Sequence, residues 1–369
     1  MPPLPRHPLR DERIRAALAQ LAVAAVALAL VGWLAAGVLT DMRARNLVPG
    51  LGFLRNVAGF GISEGPTFAP TDSYGRALVV GLANTLRVAA LGIVLATVCG
   101  FAVALARLSG NVLLGGMARL YIEALRNTPL VLQLILWLSL LRALPPLGEA
   151  IALWPVGGAA GAATAGGAIG GALGGATGAA IGGASGATAT QTAWLLLSRK
   201  GAAVAWWHVA DGAPFLRLDL PTTGRFGYDG GLVLSPEFAA LLFGLVVYTA
   251  AFIAEVVRSG VQAVPRGQLE AARAVGLREG QVLRLVVLPQ AMRIIVPPLT
   301  NQYLKLAKNS SLAIFVGYPD LFNVSQTVGN QTGQFVVVLG IVMAVYLTIS
   351  LGTSLAMHAY SRRARWVGR

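Results

Sequence analysis

Residues 258–290 read RSGVQAVPRGQLEAARAVGLREGQVLRLVVLPQ and separate two long apolar runs. The stretch is polar and basic, is rich in helix-forming residues and is interrupted by Gly276. This pattern predicts a helix over residues 268–275, a turn at Gly276, and a second helix that ends at Leu288 because Pro289 follows. Such a hairpin is suited to docking into a groove on a soluble partner. On pattern alone, an ordinary surface helix is the more common explanation.

The composition on either side of this stretch is that of an integral membrane protein. Of the 369 residues, 56% are hydrophobic and only 12% are charged, against about 25% charged residues in soluble domains. The mean hydropathy of +0.68 agrees. The hydrophobic content excludes a disordered chain, and in a membrane protein a net charge of +14 indicates topology and lipid headgroups before nucleic acid. One cysteine and three scattered histidines exclude a disulfide framework and indicate no metal site.

Six apolar runs are long enough to cross about 30 Å of hydrocarbon as helices. They are residues 16–39, 77–106, 128–147, 236–257, 294–316 and 335–357. The first run is too long for the apolar region of a signal peptide, so we expect it to be a retained span.

The charges of the loops predict the orientation of these spans. Basic residues cluster in the N-terminal residues 1–15, in the loop 258–290 and in the tail 359–369, whereas residues 317–334 contain no Lys or Arg. This alternation predicts that both termini lie in the cytoplasm. The loop 40–76 then lies on the outer face, where its apolar residues suggest a partly interfacial segment.

The insertion 148–234 divides the predicted permease core into residues 77–147 and 235–358. Within it, glycine recurs every fourth residue from Gly166 to Gly186. On a helix this spacing forms a smooth stripe for close packing in lipid, but the repeat also fits a flexible low-complexity insertion. If the insertion crosses the membrane it crosses an even number of times, with Arg199 and Lys200 inside between two extra crossings. The chain therefore has six spans, or eight.

Three segments carry a resemblance to a known family. Glu270-Ala271-Ala272, then Gly276, then residues 286–289 (VVLP), resemble the EAA loop of ABC-transporter permeases in residue types and spacing. Residues 121–134 (YIEALRNTPLVLQL) and 304–321, which contain LKLAKNSSL and GYPDL, resemble the histidine/glutamate/glutamine branch of these permeases. Within it the chain is most similar to general L-amino-acid and glutamate/glutamine/aspartate/asparagine permeases.

The resemblance implies an all-α integral membrane protein with the architecture of a type I ABC importer permease, located in the bacterial inner membrane. Such a subunit is not an enzyme, and the chain contains no phosphate-binding GxxxxGK[ST] loop, so ATP would be bound by separate subunits and no cofactor by this chain. The expected partners are two ATP-binding subunits, a second permease chain, and a periplasmic amino-acid-binding protein. The resemblance assigns coupling to the ATPase to residues of the EAA loop: Glu270, Ala271, Ala272, Gly276, Leu288 and Pro289.

Polar residues within the spans are candidates for the substrate path. Asn301, Lys305 and Lys308 are spaced i, i+4 and i+7 and so share one helix face. Because charges inside a bilayer are costly, we expect this face to meet the pore or a second permease. The alternative is that the two lysines extend to the membrane–water interface, and we prefer the first explanation. Pro297-Pro298 is predicted to break the helix. The complete candidate set for the path or the permease interface is Gln133, Asn301, Gln302, Lys305, Lys308, Asn309 and Ser310.

The predicted function is ATP-driven uptake of L-amino acids, with polar or acidic ones as the expected substrates. The alternative is an ion-coupled secondary transporter, which would need acidic residues inside the membrane. The predicted spans hold carboxylates only near their ends, at Glu237 and Glu255, which counts against this alternative. Glu123 and Arg126, one helical turn apart, are predicted to form an ion pair.

Overall fold

The computed structural model of the chain describes residues 50–155, 193–209, 216–224 and 227–366, together with separate positions between 20 and 40. The described positions between 20 and 40 are helical, whereas the basic N-terminal residues 1–15 lie outside the described residues. Apart from the three-residue helix Glu279–Gln281, the α-helices that follow in the described chain are Tyr74–Leu108 (α1), Val112–Arg126 (α2), Leu130–Arg142 (α3), Pro236–Gln262 (α4), Arg266–Ala274 (α5), Leu288–Asn309 (α6), Leu321–Thr332 (α7) and Phe335–Trp366 (α8).

Four helical segments of membrane length lie in the described chain. α1, α4, the helical path Glu279–Phe315 that contains α6, and residues Phe335–Met357 of α8 are each long and apolar enough to cross a bilayer. The membrane part is therefore helical, as predicted. The predicted span 128–147 is not one helix of membrane length, because the 13 residues of α3 extend only about 20 Å.

A bend of 107° separates α2 from α3, and the two helices together would make a fifth crossing. The sequence Asn127-Thr128-Pro129 explains this break, because the residue before a proline is disfavoured in helical conformation. Pro129 is extended, with φ −61° and ψ 132°, and leads into α3. The buried side chain of Gln133 braces the bend through hydrogen bonds from Nε2 to the Leu125 carbonyl (3.0 Å) and to Thr128 Oγ1 (2.6 Å).

Close packing between α1 and α4 forms the centre of the bundle. Gly100 of α1 lies so near to α4 that a Cβ atom on it would be 2.6 Å from Cγ2 of Ile253. α6 packs against the same centre through Leu306, which is fully buried beside Gly92. Small residues at these contacts allow the backbones to approach where no water can drive association.

The segment after Gly276 differs from the prediction, because its second helix does not end at Leu288. Residues Glu279–Gln281 are α-helical, Val282–Val287 form a π-helical turn, and α6 begins directly at Leu288. The wider turn accommodates Pro289, which has no N–H for an α-helical hydrogen bond. Pro297 and Pro298 likewise lie inside α6 and do not break it, contrary to the prediction.

The insertion is β-structured where the structure describes it, a feature that the sequence analysis missed. The strands are Ile151–Pro155 (β1), Ala193–Ser198 (β2), Gly201–Val204 (β3), Trp206–Val209 (β4), Leu216–Asp219 (β5), Thr222–Thr223 (β6), Tyr228–Asp229 (β7) and Leu232–Leu234 (β8). Four of them form an antiparallel sheet in the order β1-β2-β3-β8, and the others form the pairs β4-β5 and β6-β7.

This sheet contradicts the hypothesis that Arg199 and Lys200 lie between two additional membrane helices. Both residues form the turn between β2 and β3, and the chain before and after them is paired in strands. The predicted glycine repeat, residues 166–186, lies outside the described residues.

Candidate functional site

The EAA segment forms a short amphipathic helix, α5, held against the rest of the chain by one face. Ala272 is buried, and Leu269, one turn before it, packs against the same hydrophobic cluster, which also contains Val282 and Val287. Glu270 and Ala271 lie on the other side of the helix and are exposed. The segment is therefore anchored through one face and presents the other to a partner.

A glycine-terminated cap fixes the end of α5. Gly276 has a φ of +84°, a left-handed conformation that suits glycine. Its N–H donates to the Arg273 carbonyl (2.9 Å), and the N–H of Leu277 donates to the Ala272 carbonyl (3.2 Å). These two bonds are those of a Schellman motif, and they set the direction in which the chain leaves the helix.

A second restraint crosses the turn. The Arg273 guanidinium donates two hydrogen bonds to the Glu279 carboxylate, at 2.7 and 3.1 Å. The contribution of this exposed pair to stability is small, but its bidentate geometry restricts the angle between α5 and the following helix.

The remaining predicted coupling residues lie at the base of this hairpin. Leu288 is 46% exposed and Pro289 is exposed as well, at the start of α6. Val275, at the tip of the hairpin, is 77% exposed. The sequence analysis did not include Val275, although an apolar side chain at an exposed turn is the kind of contact that a docking groove can bury.

The predicted polar face of α6 points away from the core of the chain. Asn301, Lys305 and Lys308 are all exposed, whereas Leu306 and Ala307 on the other side are buried. Gln302 and Asn309 are half-buried. Ser310 is buried, and its hydroxyl donates to the Ala307 carbonyl (2.8 Å). Two exposed lysines within a helical path of membrane length need water or protein around them from outside this chain.

Four further polar residues have local partners. Gln133 is buried, and its amide nitrogen donates hydrogen bonds at the α2–α3 bend. These bonds explain why a polar side chain is buried there, and a role of Gln133 in the substrate path stays a prediction. Glu123 pairs with Arg119 (2.9 Å), so the predicted ion pair of Glu123 with Arg126 was wrong. Arg126 instead lies 5.1 Å from the ring centroid of Phe252. The Glu255 carboxylate accepts hydrogen bonds from the Arg258 guanidinium, and the one from Nε to Oε2 is 3.0 Å long.

A buried polar junction joins α1, the loop before α7, and α8. Asp320 is fully buried, its carboxylate accepts from the backbone N–H of Asn323 (2.8 Å), and the Tyr346 hydroxyl donates to it (3.3 Å). Burial raises the pKa of Asp320 to about 6. Asn84 of α1, also fully buried, donates to the Pro319 carbonyl (2.8 Å). The sequence pattern of residues 317–321 (GYPDL) indicated a family resemblance but not this buried junction.

A family model of the binding-protein-dependent transport system inner membrane component matches residues 92–366. The chain belongs to this family.

Curated relatives cover almost the whole permease. A putative amino-acid ABC transporter permease protein, YhdX of Escherichia coli (strain K12), is 41% identical over 96% of this chain and 95% of its own length. The general L-amino acid transport system permease protein AapQ of Rhizobium johnstonii is 40% identical over 99% of this chain and 96% of its own. The glutamate/glutamine/aspartate/asparagine transport system permease protein BztB of Rhodobacter capsulatus is 35% identical over 95% and 94%.

Among solved structures, an amino acid ABC transporter crystallised with histidines aligns with 79% of this chain and 95% of its own, at a TM-score of 0.49 and 22% identity. The curated relatives confirm the resemblance to the amino-acid branch of ABC permeases. The chain is a multi-pass membrane permease component and not an enzyme.

Proposed function

We propose that this permease is the transmembrane subunit of an ATP-driven importer in the inner membrane that takes up polar or acidic L-amino acids from the periplasm. The names of its relatives support this substrate class, since AapQ belongs to a general L-amino acid system and BztB to one for glutamate, glutamine, aspartate and asparagine. Its partners are two ATP-binding subunits, a second permease chain and a periplasmic amino-acid-binding protein. The chain binds no cofactor, and ATP is bound by the separate subunits.

The observation that carries the coupling mechanism is the anchored but exposed helix α5. Glu270 is exposed on a helix whose opposite face is packed and whose end is fixed by Gly276 and by the Arg273–Glu279 pair. A rigid projection of this kind can transmit movement of a bound ATPase to the helices behind it. The helical path Glu279–Phe315, 37 residues long, would extend about 55 Å. It therefore links the hairpin mechanically to the membrane core.

The polar face of α6 supports a substrate path at the boundary with a second permease. Lys305 and Lys308 could attract the carboxylate that all amino acids carry, and Asn301 could hydrogen-bond to it. Since these side chains point outward from the single chain, a partner chain would complete the path. Gln302 and Asn309 flank the face.

Family membership weighs against the ion-coupled secondary transporter. The two functions also differ in a measurable requirement, because uptake through an ABC importer needs ATP inside the vesicle and the binding protein outside it. An ion gradient alone should give no uptake in liposomes that contain the assembled complex.

The experiment that tests coupling compares Glu270→Lys with Glu149→Lys in the full complex. Glu149 is also exposed, but lies in the 3-10 turn before β1, far along the chain from the hairpin. Charge reversal at a docking centre costs about 2 kcal/mol or more of binding. We expect Glu270→Lys to lose the ATP-binding subunits on purification and to lose uptake, and Glu149→Lys to keep both. Equal retention of the ATPase by both variants would contradict docking through Glu270.

A further inference from the structure

An apolar pocket lies where the sheet of the insertion meets the membrane helices. It is an open pocket of about 380 Å³ with almost entirely apolar walls, within the size range of small-molecule sites. The walls come from α3 and its C-terminal extension, from α4, and from strands β2 and β3: Trp137, Leu140, Leu141, Leu144, Leu197, Ala202, Ala239 and Phe243. Phe243 and Leu140 remain 50% exposed, so the pocket opens outward from the bundle.

The residues around the pocket fit the boundary between hydrocarbon and headgroups. Trp137 packs edge-on against Phe243 with 4.7 Å between the ring centroids, and tryptophan is enriched at membrane interfaces. Arg142, at the end of α3, and Glu237, at the start of α4, form an ion pair (3.0 Å) and follow or precede the lining residues Leu141 and Ala239 closely in the chain. The walls formed by α3 and α4 therefore belong to the membrane helices, and the walls formed by β2 and β3 belong to the sheet.

Two cations lie in the turn between the strands that line the pocket. Leu197 and Ala202, which line the pocket, are paired across β2 and β3, and Arg199 and Lys200 form the turn beside this pair. The backbone N–H of Arg199 donates to the Pro145 carbonyl (2.9 Å), which holds the turn over the end of α3. Both side chains are exposed, and neither is in an ion pair with any residue that the structure describes.

We propose that this pocket binds an anionic phospholipid, with an acyl chain against the apolar walls and the headgroup phosphate at Arg199 and Lys200. The apolar walls would take a hydrocarbon chain from the surrounding bilayer, and the two cations supply charge complementarity to a phosphate with a negative headgroup. A bound lipid would fill the gap between the sheet and the helices and so hold the insertion on the membrane surface. This site is separate from the hairpin and from the polar face of α6.

The test measures lipid retention by the assembled transporter. The complex is reconstituted in nanodiscs of equal parts phosphatidylglycerol and phosphatidylcholine, extracted in mild detergent, and its bound lipids are counted by native mass spectrometry. Since each cation near the surface strengthens anionic lipid binding several-fold, we expect a preference for phosphatidylglycerol on the order of tenfold. Arg199→Ala/Lys200→Ala should lose it. The control Arg55→Ala/Arg76→Ala, which removes two exposed cations from the segment preceding and beginning α1, should keep it.

Two further measurements identify the occupant. Ala202→Phe narrows the pocket from the sheet side and should lower retention of both lipids at this site, with the thermal unfolding of the complex checked in parallel. A photo-crosslinking amino acid at Leu144 should give a lipid adduct. Equal retention of the two lipids by the unmodified complex, an undiminished preference in Arg199→Ala/Lys200→Ala, or a crosslink to residues 156–192 or to another protein chain would each overturn the proposal.

Discussion

At the scale of single residues, Gly276 is the position where backbone conformation alone decides the structure. Its φ is +84°, and a Cβ atom built on it would meet nothing within 4 Å. Gly276→Ala therefore introduces no clash and only the strain of the left-handed conformation, about 1–2 kcal/mol. We expect faster amide hydrogen exchange across residues 268–282 and weaker ATP-driven uptake.

The same hairpin supplies the control. Gly267 and Gly280 also have open space at the Cβ position, but neither has a positive φ. Gly267→Ala and Gly280→Ala should leave exchange unchanged or slow it slightly, because alanine favours helix. If all three variants behaved alike, the Schellman cap would not be the feature that orders the hairpin.

Asp320 makes stability depend on pH. Its pKa is raised from 3.8 to about 6 by burial, so the folded state holds a proton more tightly than the unfolded state does. The penalty for burying the charged form is present above pH 6 and disappears as the pH falls from about 6 to about 4. Asp320→Asn keeps a side chain that can cap α7 but removes the titration.

We therefore expect the unmodified chain to gain on the order of 2–3 kcal/mol in the free energy of unfolding relative to Asp320→Asn over this interval. Thermal unfolding of both proteins in detergent, at a series of pH values from 4 to 7.5, measures the difference. A constant difference across the series would show that the carboxylate does not titrate there.

At the scale of helices, close contact between α1 and α4 makes Gly100 a sensitive position. A Cβ atom at Gly100 would lie 2.6 Å from Cγ2 and 2.7 Å from Cβ of Ile253, and 3.1 Å from the Ala250 carbonyl oxygen. Since Ile253 is fully buried and β-branched, it cannot move aside without displacing its neighbours. We expect Gly100→Ala to destabilise the permease by about 1–3 kcal/mol through overpacking.

Gly116 of α2 is the matched control, because a Cβ atom there would meet nothing within 4 Å. Gly116→Ala should raise the unfolding temperature slightly or leave it unchanged, whereas Gly100→Ala should lower it. An equal shift for both variants would show that α1 and α4 are not packed as closely as the structure describes.

The helical hairpin also shows where a sequence pattern is sufficient and where it is not. The first helix and the turn were predictable, because Gly276 directly follows a run of helix formers. The continuation past Pro289 was not, since proline normally ends a helix and only a π-helical turn before it removes the conflict. The effect of Pro297 and Pro298 was also misjudged, because α6 continues through both of them.

At the scale of the whole chain, the membrane helices were predictable and the sheet was not. Long apolar runs have few alternatives to a helix in lipid, so α1, α4 and α8 agree with their predicted spans. The strands of the insertion are two to six residues long, and their pairing depends on partners distant in sequence, such as β3 with β8. Short strands of this kind leave little periodicity to detect beside a conspicuous glycine repeat. The outward direction of the α6 polar face likewise depends on tertiary packing.

The orientation of the chain in the membrane is the last prediction, and the structure defines the two positions that test it. α4 begins at Pro236, next to the sheet, and ends at Gln262, next to the hairpin. Its 27 residues extend about 40 Å, so the β2–β3 turn and the tip of the hairpin should lie on opposite sides of the bilayer.

In a Cys99→Ser background, single cysteines at Lys200 and at Val275 report the two sides, since both positions are exposed. We expect a membrane-impermeant maleimide to label Lys200→Cys in spheroplasts, and Val275→Cys only in inverted vesicles. The reverse pattern would refute the orientation inferred from the loop charges, and labelling of both from one side would mean that α4 does not cross the membrane.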